Sequence, residues 1–213
     1  MKNVNEIFEY LKTLFPNPKC ELNYRSPFQL LIAVILSAQC TDKRVNTVTP
    51  ILFEKYPTPK ALGNAKQEDV EEIIRPLGFF RNKAKAIIAC AKQLDEEFDG
   101  QVPNDVEKLQ QLQGVGRKTA NVVTAEAFRA NNIGVDTHVF RVAHRLGLSE
   151  GNMPEKVEMD LRNVFAGRDL ASDHFLLVLF GRYHCKAVKP QCDKCKLNNH
   201  CKYYVEKMDK YDE

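Results

Sequence analysis

Four cysteines crowd the C-terminal end of the chain, Cys185, Cys192, Cys195 and Cys201, in the spacing C-x6-C-x2-C-x5-C. Four soft thiolate ligands this close together make a metal ion or a metal cluster the first chemistry to consider. The intervening Lys186, Lys189, Gln191, Asp193, Lys194, Lys196, Asn198 and Asn199 are too polar to form a core, so ordinary buried thiols do not explain the set. Spacing alone leaves zinc and iron–sulfur both open. Structural zinc sites most often pair two CxxC-like units, and only Cys192 and Cys195 form one, while His184 and His200 stand beside outer cysteines as substitute ligands. The remaining Cys20, Cys40 and Cys90 lie singly in helical or pre-helical surroundings and read as small buried hydrophobes. Lys186, Lys189, Lys194 and Lys196 face only Asp193 as an opposing charge. A loop held taut by a metal group would offer them, Lys186 and Lys189 first, as a fixed surface for phosphates. The plainer reading is that they keep a short loop soluble.

A second constellation is Gly114-Val115-Gly116-Arg117-Lys118-Thr119. Two glycines at this spacing let the chain turn tightly and bring backbone N–H groups close to a ligand, and the helix that follows offers its positive end. That suits a nucleic-acid phosphate held by Gly114, Val115 and Gly116. It is not a P-loop, which needs four residues between the glycines ahead of Gly-Lys-Ser/Thr, nor G-x-G-x-x-G, since Thr119 takes the third glycine position. Lys118 falls in the first turn of the helix, where the dipole favours a neutral, nucleophilic amine. Asp136, in Val135-Asp136-Thr137-His138-Val139, sits just before a helix. Aspartate is among the best N-cap residues, so a cap explains it by itself, and a catalytic role enters only if Lys118 needs an acidic partner. His138 and His144 lie on an amphipathic helix and read as structural.

These residues require helices to hold them. Periodicity near 3.6 recurs from end to end and alternating strand-like runs are nearly absent, so the expected fold is all-α, with Ile133-Gly134-Val135 the one candidate for a brief extended piece. Ser26-Pro27 and Thr58-Pro59 each give an N-cap followed by a first-turn proline, and Thr41 or Asp42 caps the helix between them. Further helices are expected over 67–75, 82–98, 105–112, 117–130, 137–146, 154–165 and 172–183, ended mostly by glycine or proline. That makes roughly ten, joined by short loops, with a ragged charged tail at the end.

The net charge of +3 is mild, so a nucleic-acid site must come from local clustering of Lys and Arg. The start lacks the basic and apolar segments of a secretory signal, and a cytoplasmic protein is expected. The longest apolar run, 28–38, falls short of the about 20 residues that cross a bilayer and reads as a buried helix, so no membrane is expected as partner. Seven cysteines, an odd number, argue against a disulfide framework. No heptad seam remains to be explained, and a monomer is expected.

Taken together, Gly-Val-Gly-Arg-Lys-Thr-Ala-Asn-Val-Val at 114–123, Val-Asp-Thr-His-Val at 135–139, Leu-Ser-Ala-Gln-Cys-Thr-Asp at 36–42 and the cysteine spacing resemble the endonuclease III type of the helix-hairpin-helix DNA glycosylase superfamily, over nearly the whole chain. The resemblance implies a 4Fe-4S cluster on Cys185, Cys192, Cys195 and Cys201. It implies a six-helix barrel domain over 21–130, with the hairpin at about 105–130, and a cluster domain of 1–20 plus 131–213, with a DNA cleft between them. It implies a bifunctional glycosylase and abasic-site lyase of base excision repair, acting on oxidised pyrimidines in double-stranded DNA and associated with the nucleoid. Lys118 would attack the sugar C1′ and Asp136 would stabilise the developing charge. Gln39 would fill the gap left by the flipped base and Phe79 would stand where the family often has a leucine wedge, although a core role suits Phe79 equally. Gln113 departs from the family's Leu-Pro-Gly-Val-Gly hairpin, which should loosen the approach to the turn. Two other readings compete: an adenine glycosylase without lyase chemistry, which usually lacks the lysine and has a further domain, and a non-catalytic DNA-binding module with structural zinc.

Overall fold

A computed structural model describes the backbone of residues 4–209 and side chains as far as Glu206. The extreme start at 1–3 and the end of the charged tail at 210–213 lie outside the described residues. The chain divides into two compact units, one formed by Met1–Cys20 with Asn131–Glu213, the other by Glu21–Ala130. No strand occurs among the described residues, so the extended piece expected at 133–135 is a loop, held in place because Ile133 and Val135 are buried.

In chain order α1 spans Val4–Leu14. The second unit then holds α2 (Pro27–Leu36), α3 (Asp42–Lys55), α4 (Pro59–Gly63), α5 (Gln67–Ile74), α6 (Phe80–Glu97), α7 (Val106–Gln110) and α8 (Arg117–Phe128). Helix α2 is its centre. Phe28 and every residue from Leu30 to Leu36 are buried, and each such large apolar side chain contributes about 1.5–3 kcal/mol. The caps follow the chemistry read from the sequence. Ser26 Oγ accepts from the Gln29 amide and Thr58 Oγ1 from the Ala61 amide, each ahead of a first-turn proline. Of the two candidates for α3 it is Thr41 that caps, through the Arg44 amide.

Helix ends differ from expectation where the backbone turns left-handed. Phe79 (φ 56°) lets α6 begin at Phe80 rather than 82, and Arg129 (φ 56°) stops α8 at Phe128 rather than 130. Both are departures that only glycine makes cheaply, so no glycine announced them.

The first unit continues with α9 (Thr137–Arg145), α10 (Pro154–Val164), α11 (Leu170–Leu179) and α12 (Lys202–Asp209). Its core joins Ile7, Phe8 and Leu11 of α1 to Val139, Val142, Leu161, Phe165, Leu176 and Leu177, with Phe8 and Phe165 packed edge to face at 4.9 Å. The helix expected over 172–183 begins earlier, because Asp169 caps it through the Ser172 amide, and beyond Leu179 it widens into a π-helical turn, Phe180–His184. That turn lies tight against α9: a Cβ at Gly181 would come within 2.9 Å of the His138 Cβ. Among the described residues no helix is long and apolar enough to cross a membrane.

Candidate functional site

The glycine hairpin is built on backbone geometry. After α7 the amide of Val115 returns to Leu112 O at 3.2 Å, while Gly114 takes φ 78°, where a Cβ would also press on Ala86 Cβ (3.2 Å) and Ile35 Cγ2 (3.4 Å). Val115 is buried and anchors the turn. Gly116 is the N-cap of α8 and gives it no side-chain cap, and nothing lies within 4 Å of where a side chain at Gly116 would sit. The first-turn amides of α8 thus face outward over a bare backbone, a ready anion site. Lys118, the second residue of that helix, is exposed beside them. Where a hairpin proline would stand, the Gln113 amide donates to Gln93 Oε1 at 2.8 Å. The expected loosening is therefore countered by a bond that proline, lacking the N–H, could not make. Sequence reading missed Gln93, whose only signal is its place on α6, twenty residues before its partner.

Two other turns of the same unit carry exposed side chains on strained backbone. Gln39 (φ 52°), between α2 and α3, and Phe79 (φ 56°), ahead of α6, are both left-handed, and Phe79 is 67% exposed. The core alternative for Phe79 is thereby excluded. Each left-handed non-glycine residue costs about 1–2 kcal/mol, and such strain gathers at functional surfaces. Cys40, expected to be buried, is only half-buried in the Gln39 turn, and Cys20 is likewise half-buried, whereas Cys90 is fully enclosed.

In the other unit Asp136 is the N-cap of α9. The His138 and Val139 amides donate to its Oδ1 at 2.9 and 2.8 Å. Both bonds use one carboxylate oxygen, so capping and a second task for Oδ2 are compatible. Burial holds the neighbouring His138 imidazole below its ordinary value, and its Nδ1 lies 3.3 Å from the Arg141 guanidinium, which can only donate. His144 is structural, its two ring nitrogens bonded to the carbonyls of Phe140 and Gly151.

Cys185, Cys192, Cys195 and Cys201 line one pocket, together with Leu146, Phe180, His184 and Tyr203. Among the described residues no three His, Cys, Asp or Glu side chains gather tightly enough for a single ion. Four thiols around one pocket are a soft donor set that suits zinc or an iron–sulfur group alike. His184 stacks on Phe180 at 5.1 Å, and its buried Nε2 has no hydrogen-bond partner, leaving a polar atom at the pocket wall for a bound group to satisfy. His200 pairs instead with Glu6 at 3.4 Å and is not needed as a ligand. The loop between Cys185 and Cys192 hangs from two arginines of α9. Arg141 donates to Gly181 O (2.7 Å) and Cys185 O (3.1 Å), and Arg145 to Lys186 O (2.7 Å) and Ala187 O (3.2 Å). Lys186 and Lys189 are exposed on this loop, Lys189 with φ 51°. The spacing of four between Arg141 and Arg145 on α9 was the available sign of this bracing, and sequence reading passed over it.

The model of the helix-hairpin-helix superfamily of base excision DNA repair proteins matches residues 32–166. A protein of Rickettsia conorii named endonuclease III is 48% identical over 201 residues, covering 94% of this chain and 96% of that protein. Among solved structures, a trapped endonuclease III–DNA covalent intermediate in an estranged-adenine complex superposes with a TM-score of 0.92 at 44% identity, covering 96% of this chain and 97% of that one. A non-covalent endonuclease III–DNA complex gives the same TM-score at 43% identity, with 97% of each chain covered.

Proposed function

The chain belongs to the endonuclease III family of the helix-hairpin-helix superfamily, and on that premise we propose that Lys118 is its nucleophile and Asp136 its acidic partner. The protein is a bifunctional DNA glycosylase and abasic-site lyase of base excision repair, and damaged double-stranded DNA is its substrate. The observation that carries the residue assignment is the exposed amine on the uncapped first turn of α8, directly behind the glycine hairpin.

The reaction then runs as follows. The damaged nucleotide leaves the stack, at a cost of a few kcal/mol that is smallest for a weakened base. Gln39 and Phe79, already presented outward, offset part of that cost by filling the vacated space. The hairpin amides of Gly114, Val115 and Gly116, with the open N-terminus of α8, hold a backbone phosphate. The Lys118 amine attacks C1′ and the base departs with the bonding electrons. The charge that develops on the sugar is stabilised by the Asp136 carboxylate through the oxygen its cap does not use. The aminal that results opens at its C1′–O4′ bond, O4′ taking up a proton, to give the imine; loss of a proton from C2′ of that imine then expels the 3′ phosphate by β-elimination, and water releases Lys118.

Cys185, Cys192, Cys195 and Cys201 are the residues that would hold a 4Fe-4S cluster. When bound, it supplies a rigid cross-link among four thiolates of a loop that has little core of its own. Lys186 and Lys189 on that loop are assigned to phosphates of the same duplex. In this reading Glu21–Ala130 is the barrel domain, Met1–Cys20 with Asn131–Glu213 is the cluster domain, and the protein works as a monomer on the chromosome inside the cell.

Borohydride trapping on a duplex with one thymine glycol tests the assignment. Wild type should form a covalent adduct, Lys118→Ala should form none, and its turnover should fall on the order of 10³-fold or more. Trapping undiminished in Lys118→Ala would move the nucleophile elsewhere.

A further inference from the structure

The cysteine loop has two arms, and they are held from opposite ends of the chain. The arm from Cys185 to Ala187 hangs from Arg141 and Arg145 of α9. The arm from Cys192 to Cys201 is met by α1, the N-terminal helix. The Tyr10 hydroxyl donates to Lys194 O at 3.3 Å, one residue from Cys195 and 184 positions away in the sequence. Burial pushes this phenol up from its ordinary value, so the hydroxyl keeps the proton it donates. One turn earlier on α1, Glu6 Oε2 lies 3.4 Å from His200 Nε2, beside Cys201. Leu197, between these two contacts, is buried in the core that Ile7, Phe8 and Leu11 of α1 help to form. The Tyr10 ring also stands edge-on to His184 at 6.4 Å, the residue whose Nε2 is unpartnered at the pocket wall.

We propose that α1 is the clasp that retains the metal group, with Tyr10 the positioning residue that sets how long the Cys192–Cys201 arm stays closed. The inference rests on the reading of the four cysteines as ligands of a 4Fe-4S cluster, and it concerns this chain's own hold on that group. Cys192, Cys195 and Cys201 all lie on the arm that α1 meets, so opening it would leave a bound group on Cys185 alone. The arm has little backbone order with which to resist, since it forms only two 3₁₀ turns of three residues each, Cys192–Lys194 and Asn198–His200. Helix geometry makes the two contacts act together. Residues four apart share one face, so Glu6 and Tyr10 reach His200 and Lys194 only while α1 lies on the core. Tyr10 has the larger share, because it is buried, whereas Glu6 and His200 are each about half exposed and their contact is screened by water. A group that binds the closed arm and not the open one is lost through the open form, and a contact made only in the closed form slows that loss.

The test is the rate at which the full-length holoprotein loses its visible absorbance in aerated buffer containing an iron chelator, with released iron counted in parallel. Tyr10→Phe removes only the hydroxyl and should speed the loss about fivefold, the worth of one part-buried hydrogen bond. Glu6→Gln should speed it about twofold or less. Glu9→Gln, on the same helix but paired with Lys12 in solvent, should leave the rate as it is. Val157→Ala separates a clasp from general loosening, because Val157 belongs to the same core but sits on α10. It should lower the melting temperature more than Tyr10→Phe does and speed the loss less. Loss that simply follows melting temperature across the set overturns the proposal, as does Tyr10→Phe decaying at the wild-type rate. A purified protein with bound zinc and no visible absorbance would reject the cluster reading alone. Zinc release to a chromogenic chelator then tests the clasp with the same variants, which must keep the same order.

Discussion

The hairpin and the cysteine loop solve the same problem, holding a loop still, by opposite means. At the hairpin the work is done by main chain. Gly114 turns left-handed, Val115 plugs the core, and Gly116 leaves the amides of α8 uncovered. At the cysteine loop main chain contributes two short 3₁₀ turns, and fixation depends on side chains, on Arg141 and Arg145 and on four thiols around a pocket. The first is complete as a bare polypeptide. The second sets four thiols around one pocket, the cage that the proposed cluster would fill. An anion site made of amides can be preformed, whereas a ligand cage made of thiols repels itself once ionised and needs a cation-bearing core to hold it.

Stripping iron with an oxidant and chelator should separate the two regions most sharply. Amide hydrogen exchange over 185–206 should rise toward unprotected rates, while 106–128 keeps its protection. Equal loss in both would break the contrast. Next in size is Asp136→Asn, chosen because asparagine caps helices as well as aspartate. Thermal stability should shift by less than about 0.5 kcal/mol while base removal slows on the order of 10²-fold, so a large stability loss would return Asp136 to a purely structural role. Gly114→Ala should cost about 1–2 kcal/mol in a denaturant melt, from the positive φ, and should weaken binding to abasic duplex more than the stability loss accounts for. The smallest effect is expected for Gln93→Ala, about 1 kcal/mol or less from the lost Gln113 bond, with Gln93→Ala/Gln113→Pro recovering most of it.

Much of this was legible in residue types. Ser26, Thr41, Thr58 and Asp136 cap helices because short polar side chains reach the free amides, a rule confined to four neighbouring residues. The apolar run over α2 is buried for equally local reasons. What was hidden depends on distant partners or on strain. No local sign predicted that Phe79 would turn left-handed, since the surrounding fold pays that cost. The half-exposure of Cys20 and Cys40 is set by tertiary context, which composition does not carry. Widening of α11 into a π turn reflects the approach of α9 at Gly181, a contact forty-three residues away in the chain. At the site, the nature of Lys118 and the four cysteines stood out in the sequence, while the Arg141 and Arg145 bracing and the Tyr10 bond to Lys194 became visible only in three dimensions.

The left-handed backbone at Gln39 and Phe79 bears on how this protein would respond to selection for heat tolerance. Glycine at either position would relieve roughly 1–2 kcal/mol of strain, less the entropy glycine forfeits on folding. The same exchange would delete an outward-facing side chain that touches no core. A screen rewarding melting temperature alone would therefore drift toward a sturdier enzyme without the two side chains proposed to fill the gap in damaged DNA.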